Sequence, residues 1–98
     1  IGCARVMDVS LKVDRMAEVI AGWAEGVSAY GDACKGGVMG GDRKTGKVKS
    51  VTLWSSREGL EASEASGAMQ AVVGPYEEMM QVPPTRSFWD VRVVVDGS

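Results

Sequence analysis

Trp54, Trp89 and Tyr76, together with Met7, Met69, Met79 and Met80, are the side chains whose types could shape a ligand site. Trp54 ends a β-branched run directly before a helix start, a junction where a ring can point into a cavity. Trp89 lies in the last apolar run, and Tyr76 follows Gly74-Pro75. A single tryptophan is ordinarily core or interface. Gathered with soft thioethers, these rings instead predict an apolar pocket for a flat ligand.

Other motifs reduce to structure. Gly41-Asp-Arg-Lys-Thr-Gly46-Lys47 matches most of a phosphate-binding loop. Val48 stands where a magnesium-binding hydroxyl belongs, and the segment leads into a strand rather than a helix, so it reads as a hairpin turn. Gly36, Gly37, Gly40 and Gly41 suit a bulged or closely approached edge strand. Glu58, Glu61 and Glu64 recur at three-residue spacing on one helix, where carboxylates are ordinarily solvated and do acid–base work only when buried or forced together.

The 98 residues contain no histidine and no asparagine. Histidine-dependent nucleophiles, general bases and metal or haem ligation are thereby excluded, as are N-glycosylation sequons. Cys3 and Cys34 make neither a disulfide framework nor a zinc site, so neither metal nor cofactor is expected. Eleven basic residues against thirteen acidic ones, with no long basic run, argue against nucleic acid as a partner. No apolar stretch approaches the ~20 residues of a membrane span. A reduced compartment is expected, cytoplasmic or, for a processed form, organellar. The sequence starts at Ile1 with no signal peptide visible, and reads as a processed form or a domain of a longer chain.

The elements that must position these residues follow from periodicity. Residues 4–12 alternate as a strand with Arg5, Met7, Val9 and Leu11 on one face. Met16, Val19, Ile20, Trp23, Val27 and Tyr30 then recur at helical spacing, with Asp14 as the expected N-cap and Gly31 as the stop. Strands are predicted at 38–41 and 48–54, joined by the 44–47 turn. Ser55-Ser56-Arg57-Glu58 reads as a capping box for a helix that loosens near Gly67 and breaks at Gly74-Pro75. A helical piece at 76–81, a stop at Pro83-Pro84, a strand at 88–95 and a frayed tail at 96–98 complete the order. The expected fold is one α+β domain over 1–98, a ferredoxin-like β-α-β-β-α-β sandwich. Two helices cover only one face of such a sheet, yet its strands carry apolar residues on both. A homodimer packed sheet to sheet is therefore expected.

The run Asp42-Arg43-Lys44-Thr45-Gly46-Lys47, with Val51-Thr52-Leu53-Trp54-Ser55-Ser56-Arg57-Glu58-Gly59-Leu60-Glu61-Ala62-Ser63, resembles the antibiotic biosynthesis monooxygenase (ABM) superfamily. Element order extends the resemblance over the whole chain, while the motif itself covers about residues 36–66. It implies a dimeric α/β barrel and one of two chemistries. The first is cofactor-independent oxidation of a phenol or anthrone in an apolar pocket. Trp54, Tyr76 and Arg86 are then the catalytic candidates, Tyr76 donating a hydrogen bond and Arg86 stabilising a phenolate. Met7, Ser63, Met69 and Trp89 would line the pocket. The second is haem degradation by an Asn, a Trp and a His, whose positions fall near Met7, Ser63 and Val73 here, so none can play its part. A small apolar or aromatic ligand is the implied partner. A non-catalytic ligand-binding or dimerisation domain is the competing reading.

Overall fold

The structure is a computed structural model and describes residues 1–95; the tail expected at 96–98 lies outside them. Four strands, β1 (Cys3–Leu11), β2 (Cys34–Gly41), β3 (Lys47–Trp54) and β4 (Met80–Asp90), form one sheet in the order β2-β3-β1-β4. Every neighbouring pair is antiparallel. Helix α1 (Met16–Gly26) links β1 to β2, while α2 (Arg57–Ser66) and α3 (Ala68–Val73) link β3 to β4. This is the split βαβ arrangement of a ferredoxin-like α+β fold.

The β1 alternation is realised as read. Arg5, Met7, Val9 and Leu11 are buried beneath the helices, whereas Asp8 is exposed on the other face. Register carries that division across the sheet: Thr52, Ser50 and Val48 of β3 oppose Arg5, Met7 and Val9, and so share the helix-covered face. Ala4, Val6, Val51 and Leu53 share the open face with Val38 of β2 and Trp89 of β4. Val38 is 64% exposed and Trp89 60%.

Several local expectations shift. Asp14 sits within a 3-10 turn, Val13–Arg15, and does not cap α1, which has no side-chain cap. The α2 cap moves one residue: Ser56 Oγ accepts the Gly59 N–H at 3.0 Å, placing Glu58 in the first turn, where an acidic side chain suits the helix dipole. β2 starts earlier than expected, at Cys34, because a bulge between Cys34 and Gly36 accommodates an irregular start. β4 is the largest correction. It spans 80–90 rather than 88–95, contains Pro83 and Pro84, and leaves 91–95 outside regular structure. An edge strand tolerates proline on its unpaired side, so the proline pair does not mark a boundary. The helical piece expected at 76–81 is a 3-10 helix over Gly74–Met79.

The turn resembling a phosphate loop is a hairpin. Gly46 adopts φ +81° and its N–H donates to the Asp42 carbonyl at 2.9 Å, while Leu11 N–H donates to the Gly46 carbonyl at 2.7 Å. Glycine is required there, since a Cβ would fall on the Leu11 carbonyl oxygen.

Candidate functional site

Two core clusters lie side by side under the helices. One groups Cys3, Tyr30, Trp54 and Leu60. The other groups Met7, Val9, Leu11, Met16, Val19, Val48, Val73 and Met79.

The first cluster is built around a charge. Arg5 is only 3% exposed, and its guanidinium lies 4.9 Å from the Tyr30 ring centroid and 5.5 Å from that of Trp54. Such stacking favours a weakly hydrated guanidinium over other cations. Glu64 of α2 completes it: Oε1 accepts from Arg5 Nη1 at 3.1 Å and lies 3.3 Å from Arg86 Nε. Trp54 is wholly buried and its indole N–H donates to Thr52 Oγ1 at 2.9 Å. Burial, the dominant cause, pushes the Tyr30 phenol up, opposed by the nearby Arg5 charge and its hydrogen bond. Burial likewise pushes the Cys3 thiol up. Ser63, on the buried side of α2, has an Oγ without a hydrogen-bond partner.

The second cluster encloses a cavity of about 30 Å³ between sheet and helices, with Met7, Trp23, Met39, Ser50, Val72 and Tyr76 in its wall. Each arrives there for a local reason. Met7, Ser50 and Met39 sit opposite one another on three adjacent strands. Trp23 lies one turn beyond Val19 on α1 and reaches over β2, where a Cβ on Gly37 would stand 3.2 Å from its ring. The glycine-rich edge strand thus serves as a floor for this indole. Among the wall residues only Ser50, Tyr76 and Trp23 offer polar side-chain atoms, and no carboxylate or guanidinium belongs to it. Room for one or two water molecules is far less than the ~300 Å³ or more of ordinary small-molecule pockets, so an aromatic ligand requires the wall to give.

The sequence-read candidates therefore divide. Tyr76 and Met7 meet at the cavity. Trp54 and Arg86 do not; they belong to the Arg5–Glu64 network and its outer edge. Arg86 reaches a groove of about 430 Å³ lined also by Arg57, Glu61, Glu64 and Phe88. Met69 packs partly buried against both clusters. Trp89 stands on the opposite face of the sheet, its indole N–H donating to Ser87 Oγ at 2.9 Å. Of the three positions aligned with haem-degrading residues, Met7 and Val73 line the cavity and Ser63 is buried on α2. Trp23, Met39 and Ser50 were missed as wall residues. The helical period could have located Trp23, but pairing Ser50 with Met7 needed the strand register.

Among the described residues no group of three or more Cys, Asp or Glu side chains could hold a metal ion, and no helix is long and apolar enough to cross a membrane.

No protein-family model matches the sequence, and no curated protein matches it. Solved structures do match in fold. An alanine-for-asparagine variant of SnoaB, a cofactor-independent oxygenase from Streptomyces nogalater, superposes with a TM-score of 0.79 at 8% identity, covering 98% of each chain. A provisionally named antibiotic biosynthesis monooxygenase from Caulobacter crescentus CB15 gives 0.75 at 16% identity, covering 94% of this chain and 91% of its own. Another from Chloroflexus aurantiacus gives 0.72 at 18%, covering 99% and 98%. The chain has the ferredoxin-like fold of structures named antibiotic biosynthesis monooxygenases.

Proposed function

We propose that the chain is an ABM-superfamily protein that oxidises a small aromatic substrate with dioxygen, without metal or flavin. The observation that supports this best is the apolar cavity whose polar lining is confined to two hydroxyls and an indole. Such a wall suits a phenol or anthrone that supplies its own electrons once deprotonated. At a reacting methylene, one dioxygen molecule converts the carbon to a carbonyl and is itself reduced to one water. One oxygen atom enters the carbonyl, and the other leaves as that water with both methylene hydrogens. Tyr76 is assigned the hydrogen bond to the substrate oxygen, with Ser50 opposite. Trp54 is assigned the packed support behind the site. Arg86, already held by Glu64, is assigned the attraction of an anionic ligand toward the outer groove. Oxygen uptake with anthrone and dihydroxynaphthalene tests the reading. Uptake that falls at least tenfold in Tyr76→Phe supports it, and inertness of the native protein with every such substrate removes it.

The small cavity and the absence of any carboxylate or guanidinium from its wall favour a second reading, a ligand-binding domain without catalysis. Retained binding of 1-naphthol without oxygen uptake is its signature.

The proposal includes a homodimer packed through the open sheet face. Ala4, Val6, Val38, Val51, Leu53 and Trp89 gather there, while Asp8 and Lys49 form an ion pair farther along β1 and β3 at 3.4 Å. An apolar patch with a polar margin is what a second copy would cover. Light scattering after size exclusion should give twice the chain mass at micromolar concentration, and Trp89→Glu should give the single-chain mass. A native monomer under those conditions removes this part.

A further inference from the structure

Four wall residues of the cavity, Val72, Val73, Tyr76 and Met80, come from one stretch following Gly67. Gly67 has φ +80° and separates α2 from α3, so the chain turns there as glycine readily permits. The facing wall is made of strands tied into a continuous ladder. The stretch itself rests on α1 at two glycines one helical turn apart. A Cβ on Gly22 would lie on the Tyr76 hydroxyl and 2.5 Å from its Cζ; a Cβ on Gly26 would lie 2.6 Å from Val72 Cγ1. No ordinary side chain fits either position with the wall in place. Val19 and Trp23 of the same helix face the cavity, so α1 both lines the site and sets how closely α3 approaches.

We propose that Gly22 is the specificity-determining residue of this cavity: by letting the Tyr76 ring seat directly on α1 it holds the wall inward, and the ligand's ring count is set by how far Tyr76 must leave that seat. The ligand class is a planar phenol. This rests on the cavity being the ligand site, as in the function proposed above, but not on any oxidation taking place. A cavity of about 30 Å³ does not hold one aromatic ring, whereas an apolar cavity of about 150 Å³ holds benzene. The difference must come from the wall. Of its two aromatic side chains, Trp23 is set against Gly37 of β2, whereas the Tyr76 ring belongs to the stretch after Gly67 and rests on Gly22. Gly22→Ala displaces that ring without removing it; Tyr76→Ala removes it without altering α1.

The test is anaerobic calorimetric titration of phenol, 1-naphthol and 9-phenanthrol into the native protein and both variants, each first checked for a cooperative thermal transition. In native protein the three-ring phenol is discriminated against relative to phenol. Each variant should raise the ratio of three-ring to one-ring affinity at least fivefold, and Tyr76→Ala supplies the answer alone if Gly22→Ala does not fold. A ratio that rises less than fivefold in the folded variants overturns the proposal. If the ratio shifts while oxygen uptake is absent throughout, the oxidase reading fails and the role of Gly22 stands. If uptake is present and the ratio does not move, the role of Gly22 fails alone.

Discussion

The two ends of the helix-covered face solve the same packing problem differently. At the Trp54 end, a buried guanidinium is enclosed by two aromatic rings and tied to Glu64, and large rigid groups fill the space. At the Tyr76 end, Tyr76 and Val72 rest on two glycines of α1 beside a lining rich in methionine and valine, and a void is left. Rotamer-poor aromatics with directed polar contacts specify one arrangement, whereas thioethers tolerate several. One sheet thus carries an anchor and an adaptable chamber, and the pairs Met7–Ser50 and Arg5–Thr52, two residues apart along the strands, stand on opposite sides of that division.

Variants that attack one end at a time make the contrast measurable. Trp54→Ala has the largest expected effect, a loss of about 3–5 kcal/mol from truncating a wholly buried ring, read by urea unfolding. It also leaves Thr52 without its indole donor. Glu64→Gln should cost roughly 2 kcal/mol. That is below the ~3–5 kcal/mol of a fully buried pair, because Glu64 retains some solvent contact. Arg5→Met in the Glu64→Gln background should recover part of the loss, since the stranded charge is then gone. At the chamber end, Gly22→Ala should cost no more than about 1–2 kcal/mol. Overpacking against Tyr76 costs ~1–3 kcal/mol, and the gain of ~1 kcal/mol in helix propensity offsets part of it. A Gly22→Ala loss exceeding that of Trp54→Ala would erase the distinction between anchor and chamber.

The smallest effect is confined to alkaline pH. Burial raises the Tyr30 pKa above its ordinary value near 10, so the unfolded chain gives up that proton first. Stability from this group is complete below pH ~10 and declines as pH rises through the folded value. Tyr30→Phe should flatten that decline in thermal melts above pH ~10, and an unchanged slope would show that Tyr30 titrates alike in both states.

Much of the fold was legible because burial imposes local periods. The alternation of β1 and the helical spacing of α1 each reflect one face meeting the core, although α1 ends at Gly26 and Gly31 closes a 3-10 turn, Val27–Tyr30, rather than the α-helix itself. β4 was misplaced because Pro83-Pro84 is a strong local terminator, and only its edge position in the sheet makes it harmless. The chamber was half legible. Tyr76 and Met7 have suggestive types, but Ser50 and Met39 become neighbours of Met7 only through strand register, and Gly22 matters only through what lies above it. Trp54 attracted attention for its type and junction position, both of which serve packing equally well.

The margins of the sheet have a consequence for how copies of this molecule can meet. On one side, β4 carries two consecutive residues without an N–H, and its ladder with β1 is interrupted between Asp8 and Ser10. On the other, β2 begins with a bulge at Gly36, where φ is +145°. Both rims are poor templates for adding a further strand, so side-by-side growth into a fibre is discouraged at each. The broad open face is the surface left for the homodimer proposed above, in which one partner would close the surface and the assembly would end there.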